Sequence, residues 1–525
     1  MTSSSYDEHD KEAGAAKVEP LTADLTNLSP GTTLKELDVA GSWLAEIAKR
    51  PDAAELLAPW TKEEEKRMLR WKIDPIIMTL SQFALMMGAV DKVCIGTGAV
   101  FGLRTDNHLV GQQYSWTSSI IYFGAILAVI PSLAIMQRVP AGKWLSGNVM
   151  IWGILLLASA GVKNFAGLMV VRFILGIFES CIFGGFGLIV AMWWKKEEQP
   201  WRTAVIFSTL SSVMNGLLSY ACANMAPKEH FKQWQLLFIL VGLITFLWAI
   251  PMWILLPNSP TSAWWLTDRE KVIAVMRTTD NRTGMENKVF KMSQVTETLK
   301  DPKTYFYFLI NLCLNVPNGG VLTFNSIIVA SLGFTTKQTT LLAIPTGVIS
   351  WISSIVMAYL AVKTGRRFLV TIIGCLAPLI GVIVLYVLPR SNVGGSLAGL
   401  YLVFFYWGPY TNTAALMYAN TGGYTKKGLT YAIAYMGYCV GNIVGPQTFK
   451  ANQAPKYTSG VAAMLACYAI AMALLAVFWA YCAWLNKRKE AQLAEYEASR
   501  VGKEDLIESW QDQTDFENPH FHYTT

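Results

Sequence analysis

Apolar residues in this chain come in blocks of about twenty, separated by short polar stretches. A helix of about twenty residues crosses the roughly 30 Å hydrocarbon layer of a membrane, and it satisfies its own backbone hydrogen bonds there. The pattern therefore predicts an all-α integral membrane protein with twelve spans. Their expected bounds are 73–90, 115–135, 147–162, 167–193, 204–225, 234–256, 305–332, 340–362, 368–388, 397–418, 430–449 and 460–485.

The spans fall into two groups of six, joined by a polar and basic loop. Two six-helix bundles in this order are typical of secondary transporters, which bind substrate between the bundles near the middle of the membrane. The predicted segments are an N-terminal tail (1–72), a first bundle (73–256), a central loop (257–302), a second bundle (303–486) and a C-terminal tail (487–525).

The tails are predicted to be water-soluble. No apolar core precedes the first span, so we expect no cleavable signal peptide. Residues 61–72 (TKEEEKRMLRWK) offer an N-capping Thr61, acids in the first turn and bases in the last, which predicts a short helix entering the membrane interface. Residues 490–525 are expected to be solvated chain, with a partner-binding motif as the alternative.

Composition narrows the class of protein. Hydrophobic residues make up 53% of the 525 residues and charged ones 15%, which excludes soluble, disordered and disulfide-stapled classes. The eight cysteines lie singly in or beside apolar blocks, so we expect no disulfide, metal site or cofactor. The five histidines lie in tails or loops, so no catalytic set is evident and an enzyme is not expected.

The net charge of +7 reflects membrane topology rather than nucleic-acid binding. Lysine and arginine cluster in the loops on one side of the predicted bundle and are sparse on the other. Cytoplasmic loops retain positive charge, so both termini are predicted to be cytoplasmic, and we expect a multi-pass protein of the plasma membrane.

Acidic residues are absent between Pro302 and Lys489, a stretch that contains the whole second bundle. A carboxylate that carries protons must therefore lie in the first bundle. The candidates are Asp74 at the start of the predicted first span, Asp91 where that span ends, and Glu179 inside the fourth. Asp74 precedes a proline and is more simply a helix-start residue. A charge at bilayer depth costs at least about 2.5 kcal/mol, so each needs a partner, a wet cavity or a function.

Arg172 lies seven residues before Glu179, on the same helix face but about 10 Å away along the axis. One interpretation is that Glu179 takes up and releases a proton while Arg172 faces Asp91 and keeps it ionised. The alternative is a structural ion-pair network. For Asp91 and its neighbour Lys92, a second alternative is an interfacial pair that reaches toward the headgroups.

Proline and glycine interrupt three spans of the second bundle, at 315–320 (NVPNGG), 407–410 (WGPY) and 441–447 (GNIVGPQ). Such breaks free backbone carbonyls and are tolerated where a helix lines a cavity or flexes. Close helix packing is the alternative, and it suits the spacing of Gly441 and Gly445. The predicted gating residues are Pro317, Gly319, Gly320, Gly441, Gly445 and Pro446, and the predicted substrate-binding amides are Asn315, Asn318, Asn442 and Gln447.

Several stretches between Asp91 and Gly460 resemble the major facilitator superfamily, and within it the anion:cation symporters of the fungal allantoate permease type. The resemblance implies the major facilitator fold. The order and spacing of these stretches along the chain are more specific evidence for the family than any single stretch. The pieces are VDKVCIG (90–96), GLRTDNHLVGQQYSW (102–116), RFILGIFES (172–180), LPNSP (256–260), NGGVLTF (318–324), YMGYCVGNIVGPQTF (435–449), Tyr457 and Gly460.

The resemblance implies that Asp91 and Glu179 carry protons, that Arg172 tunes Asp91, and that Lys92 faces the substrate carboxylate. Lys92 departs from the arginine of related carriers, and its point charge cannot grip a carboxylate with a two-pronged fork.

The implied function is proton-coupled import of a small organic anion such as allantoate, a ureido acid, nicotinate, pantothenate or a small peptide. The expected partners are that anion, protons and the lipid bilayer, and we expect a monomer. An exporter and a nutrient sensor with the same fold are the alternatives. The fifth span reads SVMNGLLSYACANM, without the proline usual in exporters of this superfamily.

Overall fold

The computed structural model describes residues 43, 44, 46–136, 138–195, 198–207, 210–225, 231–279, 291–389, 391–499, 514–518 and 521–525. Its regular elements are helices, and a helix occupies each of the twelve predicted positions. Within the described residues, ten helices are long and apolar enough to cross a membrane. The other two positions are the tenth, which is split into short helices, and the eleventh, which is rich in Tyr, Gly, Asn and Lys.

The spans are numbered in chain order. The first half contains span 1 (Lys62–Val100), span 2 (Gln113–Met136), span 3 (Ala141–Ser159), span 4 (Phe165–Glu179 and Ile182–Trp193), span 5 (Gln199–Phe207 and Ser211–Asn224) and span 6 (Gln233–Leu255). The second half contains span 7 (Pro302–Ser331), span 8 (Thr336–Leu342 and Ile344–Thr364), span 9 (Arg367–Gly374 and Leu376–Val387), span 10 (Val393–Val403 and Trp407–Ala419), span 11 (Tyr424–Thr448) and span 12 (Thr458–Ser499). Two helices of the central loop, Asp268–Thr279 and Met292–Lys300, lie between the halves in sequence.

Each half has its own apolar core. One cluster of buried side chains runs from Met68 to Ala274, and a second is formed almost entirely by residues from Tyr307 onward. The exceptions mark the contact between the halves, because Tyr438 and Cys439 pack into the first core while Ile95 and Tyr114 pack into the second. We call the side with the central-loop helices and the C-terminal residues the tail side, and the other the far side.

Span 1 differs most from its prediction. Thr61 caps the helix as expected, since its Oγ1 accepts a hydrogen bond from the backbone N–H of Glu64 (3.2 Å). The helix then continues as a π-helical segment, Leu69–Met78, that accommodates Pro75, and as an α-helix, Thr79–Val100. The predicted end at residue 90 is wrong, because the apolar sequence after Lys92 prolongs the helix by nearly three turns.

The predicted interruptions of spans 7 and 11 are also wrong. Pro302–Ser331 and Tyr424–Thr448 are continuous helices despite Pro317 and Pro446. The interruption near residue 407 is present, as a 3₁₀ turn at Phe404–Tyr406. A break that the sequence did not signal lies in span 4, where two turn residues separate Glu179 from the helix starting at Ile182.

Ion pairs join the first half to the central loop on the tail side. The guanidinium of Arg277 is fully buried and contacts Glu65 (2.8 Å) and Glu198 (2.5 Å). Asp74 of span 1 accepts two hydrogen bonds from Arg202 of span 5, both 2.9 Å. The central loop is therefore packed against the first half rather than being only a polar tether.

The C-terminal residues are docked on the second half, which corrects the expectation of solvated chain for residues 514–518 and 521–525. Asp515 is fully buried and contacts Lys303 of span 7 and Lys426 of span 11 (2.9 Å). The hydroxyl of Tyr523 donates to Asp515 (2.8 Å), and the backbone N–H of Thr524 donates to Asn420 (2.7 Å). We call residues 514–518 and 521–525 the C-terminal latch.

Burial alone would raise the pKa of Asp515, but Lys303 and Lys426 outweigh it and lower that pKa to about 2. The carboxylate is therefore ionised at neutral pH. It shares the two buried lysines with Asp301, which contacts both, and with Glu297, which contacts Lys426.

Candidate functional site

The four predicted charged residues of the first half form one cluster inside the membrane. Asp91 and Lys92 lie in the middle of the Thr79–Val100 helix, and Arg172 and Glu179 lie on span 4. The interfacial position considered for Asp91 is therefore wrong, since Asp91 is fully buried. The cluster contains two positive and two negative groups, so its formal charge is balanced when all four are ionised.

Lys92 forms an ion pair with Glu179, with side chains only 11% and 7% exposed. The Lys92 Nζ also donates to the backbone carbonyl of Gly88, one turn earlier (3.1 Å). The structure thus pairs Lys92 with a carboxylate of the protein itself. In this conformation the Lys92 ammonium therefore contacts both Glu179 and the Gly88 carbonyl.

Asp91 and Arg172 form a looser pair. The Nη1 of Arg172 lies 3.8 Å from Oδ1 of Asp91, and both residues are at most 1% exposed. Neither carboxylate oxygen of Asp91, nor Nε and Nη1 of Arg172, makes a hydrogen bond of ordinary geometry with the described residues. The structure therefore brings these two residues together, as one interpretation of the sequence expected, but without a tight contact.

A small cavity between the two halves adjoins this cluster. Its first-half lining includes Lys92, Arg172, Ser118 and Tyr122, and its second-half lining is Gly319, Leu322 and Thr323. The Oγ of Ser118 is buried without a hydrogen-bond partner in the described part of the chain. Charged and polar groups from the first half thus face a neutral wall of the second. Ser118 and Tyr122 were not predicted as site residues.

The halves meet on the far side of this cavity. The hydroxyl of Tyr114 donates to the carbonyl of Thr323 (2.7 Å). Ser119 donates to the carbonyl of Ile443 (3.0 Å) and accepts from Gln447 (3.2 Å). Span 5 and span 8 also touch, because a Cβ at Gly216 would lie 3.0 Å from the Thr340 carbonyl. These contacts close the far side, and they place Gln447 in that closure rather than on the cavity lining.

The three predicted asparagines form a buried hydrogen-bonded group within the second half. Asn318 donates to Asn442 (3.0 Å) and Asn315 (3.3 Å), and the Tyr406 hydroxyl donates to Asn318 (2.5 Å). All three asparagines are at most 1% exposed. Their amides are thus used in holding spans 7, 10 and 11 together, and substrate binding by them remains a prediction.

The predicted gating residues lie where spans 7 and 11 pack backbone to backbone. A Cβ at Gly441 would lie 2.6 Å from the Leu312 carbonyl, and one at Gly445 would lie 2.3 Å from that of Val316. A Cβ at Gly319 would lie 2.8 Å from the Cα of Asn442 and 3.1 Å from the Cδ of Pro446. This geometry favours the packing alternative. Pro317 and Gly320 lie in the same continuous helix, fully buried, and gating by the set remains a prediction.

Two helical halves, a buried cluster with a balanced formal charge and a cavity between the halves are typical of a secondary transporter rather than of an enzyme. The profile of the Major Facilitator Superfamily matches residues 80–446. The chain belongs to this superfamily, and its relatives place it with the allantoate permease type.

Relatives of known sequence agree with this assignment. The chain is 36% identical to the MFS-type transporter cnsL of Penicillium expansum, over 94% of both chains. It is 35% identical to the allantoate permease of Saccharomyces cerevisiae, over 91% of both chains. It is 30% identical to the thiamine pathway transporter THI73 of the same yeast, over 88% of this chain and 87% of that protein.

Solved structures show the same fold at low sequence identity. A D-xylose-proton symporter superposes with a TM-score of 0.59 at 15% identity, over 76% of this chain and 96% of that one. A bacterial homolog of the human lysosomal transporter Spinster superposes with a TM-score of 0.55 at 14% identity, over 77% and 96%. The major facilitator fold predicted from the sequence is therefore confirmed.

Proposed function

We propose that this transporter imports a small organic anion together with protons across the plasma membrane, with the tail side in the cytoplasm. The observation that carries the proposal is the ion pair of Lys92 and Glu179 beside the cavity between the halves. The allantoate permease among its relatives supports an organic anion of that kind as substrate. Basic loops on the tail side support the orientation.

The pair provides a direct exchange between proton and substrate. When Glu179 takes up a proton, it loses its charge and its hold on Lys92. The freed ammonium then attracts a carboxylate entering the cavity, and the bound anion restores its charge balance. Release of the proton returns Glu179 to Lys92 and displaces the anion. Proton and substrate are thus coupled through one cation.

Asp91 and Arg172 form a second charge pair that takes part in this exchange. Arg172 is buried and lines the cavity, so its charge adds to the positive potential that the anion meets. Asp91 neutralises Arg172 at 3.8 Å, and the looseness of that pair leaves Arg172 free to turn toward an anion. Asp91 is the second carboxylate that can accept a proton in this cluster.

Uptake measurements test the proposal. Cells expressing the wild type, Glu179→Gln or the exposed control Glu63→Gln are given radiolabelled nitrogenous carboxylates at pH 5 and pH 7.5. We expect uptake by the wild type and the control to be stronger at pH 5 and to collapse with an uncoupler. Cells expressing Glu179→Gln should accumulate at least tenfold less substrate than wild-type cells. They should still exchange internal for external substrate, because only the proton step is removed. Undiminished accumulation by Glu179→Gln would contradict the coupling role.

An exporter is the second candidate. To test this, the same cells are first loaded with a metabolite and its loss is then measured. A net loss of the metabolite, without uptake of carboxylates, would support an exporter and contradict an importer.

A further inference from the structure

The second half brings no charged side chain to the middle of the boundary between the halves. It has no Asp or Glu between Pro302 and Lys489. The bases that the structure describes there lie near span ends or in loops, or beyond the apolar part of span 12, namely Lys303, Lys337, Lys363, Arg366, Arg367, Lys426, Lys427, Lys450, Lys456, Lys487 and Arg488. Charge recognition near the cavity therefore comes from the first half alone.

The second half instead presents a tyrosine row, made of Tyr418 of span 10 and Tyr431, Tyr435 and Tyr438 of span 11. The last three are spaced by four and three residues, which puts them on one helix face. Successive ring centroids are 6.2, 6.2 and 5.4 Å apart, and successive ring planes differ by only 23°, 15° and 18°. The four rings thus form a nearly parallel series.

The tyrosine row follows the boundary between the halves. At its inner end, Tyr438 meets Tyr122 of the first half edge to face (5.9 Å, 71°), and Tyr122 shares the cavity lining with Lys92. At its tail-side end, a Cβ on Gly187 of span 4 would lie 3.8 Å from the Tyr418 hydroxyl. Tyr418 is 48% exposed, so the row runs from accessible surface to the charge cluster.

We propose that the transported anion is a monocarboxylate with a flat, uncharged, conjugated body, such as an aromatic or heteroaromatic ring. This inference rests on the proposed function, because it assigns the carboxylate to Lys92. With its carboxylate at Lys92, the ring of such a molecule lies beside Tyr122, which meets Tyr438 edge to face at the inner end of the tyrosine row. The hydroxyl edges and π-faces of these rings suit a planar group better than a puckered one. A second carboxylate at the far end of the molecule would meet only neutral rings, at the cost of leaving a charge unpaired.

Three carboxylates test separately the requirement for a flat ring and the requirement for a single carboxylate. Benzoate has the flat ring, cyclohexanecarboxylate has the same carbon skeleton but a saturated ring, and terephthalate adds a second carboxylate to the flat ring. Apparent Kd values are measured at pH 5 by the shift in thermal unfolding of the purified full-length protein. We expect benzoate to bind about fivefold more tightly than cyclohexanecarboxylate, and at least about tenfold more tightly than terephthalate.

Variants locate the preference in the tyrosine row. Tyr438→Leu should bring the ratio between benzoate and cyclohexanecarboxylate close to one, whereas Tyr438→Phe should keep it because the ring remains. Tyr359→Leu, at a 62% exposed position on span 8, is the matched control and should leave the ratio unchanged. If Tyr438→Leu does not fold, Tyr435→Leu provides the same comparison.

The outcomes distinguish the inference from the proposed function. Equal binding of the flat and saturated acids, or binding of terephthalate as tight as that of benzoate, overturns the inference while import of carboxylates stands. If none of the three acids shifts the unfolding and no carboxylate is taken up by cells, the proposed function fails and this inference fails with it.

Discussion

Gly88 leaves the space that the carboxylate of Glu179 occupies beside span 1. A Cβ at Gly88 would lie 3.3 Å from Oε1 of Glu179 and 3.2 Å from the ring of Trp152, closer than nine in ten real Cβ contacts. The same glycine supplies the backbone carbonyl that accepts a hydrogen bond from Lys92. Gly88 thus supports the ion pair in two ways, by leaving room for the Glu179 carboxylate and by accepting a hydrogen bond from Lys92.

The pair of Lys92 and Glu179 predicts a non-additive effect on stability. Lys92→Met leaves the Glu179 carboxylate buried without its partner, which should destabilise the protein by about 3 kcal/mol at pH 7. The double variant Lys92→Met/Glu179→Gln removes both charges and should recover most of that loss. Thermal unfolding of the two variants and of Glu179→Gln measures the coupling. Additive losses would show that the two side chains do not interact.

The C-terminal latch predicts a pH-dependent stability. Asp515→Asn removes the buried carboxylate that contacts both Lys303 and Lys426, which keep only Asp301 and Glu297 as acidic partners, and it should cost about 3 kcal/mol at pH 7. Asp268→Asn is the control, because Asp268 is 40% exposed in its contact with Arg50 and should cost less than about 1 kcal/mol.

The direction of the pH effect follows from the lowered pKa of Asp515, about 2 against an ordinary 3.8. A carboxyl with a lowered pKa in the folded state stabilises that state above its ordinary pKa. The stabilisation is lost as the pH falls through the folded value. Between pH 4 and pH 2 the wild type should therefore lose about 2 kcal/mol that Asp515→Asn does not lose. The unfolding midpoints of both proteins, measured between pH 4 and pH 2, test this prediction. A difference in stability that stays constant over this range would refute it.

The asparagine group predicts a separation of stability from substrate affinity. Asn318→Ala removes the amide that donates to the Oδ1 of Asn442 and accepts from the Tyr406 hydroxyl, and it should destabilise the protein by about 2 kcal/mol. KM for uptake should stay within about twofold of the wild type if the amides only hold the helices together. A tenfold rise in KM in protein that still folds would instead support the predicted role in substrate binding.

Close packing of spans 2 and 4 predicts a strong effect of one added methyl group. A Cβ at Gly176 would lie 1.9 Å from the Ile121 carbonyl, so the two helices would have to separate. Gly176→Ala should cost about 3 kcal/mol. Gly428→Ala is the matched control on span 11, where a Cβ meets nothing within 4 Å, and it should be neutral or slightly stabilising. Equal unfolding temperatures would contradict the packing argument.

The positions of the spans could be predicted because lipid allows few alternatives to an apolar helix. The end of span 1 could not, because Asp91 and Lys92 look like an interfacial pair until their partners on span 4 are known. Those partners are 81 and 87 residues away in sequence.

The helix breaks show the limit of local signals. Pro317 is accommodated in a helix whose glycines pack against span 11, so tertiary packing overrides the proline signal. The break after Glu179 has no proline beside it. Tyr431, Tyr435 and Tyr438 do carry a readable signal, since their spacing places them on one helix face. The residue that this face contacts could not be predicted from the spacing, because it is Tyr122 of the other half.

The closure on the far side is made of hydroxyl, amide, carbonyl and glycine contacts, including those of Tyr114, Ser119 and Gln447. Such contacts are not screened by dissolved ions and do not titrate near neutrality. The far-side closure should therefore open equally readily in dilute and in salty media. Near neutral pH, acidity would act on opening through the carboxylates that lie deeper, beside the cavity, rather than through these far-side contacts.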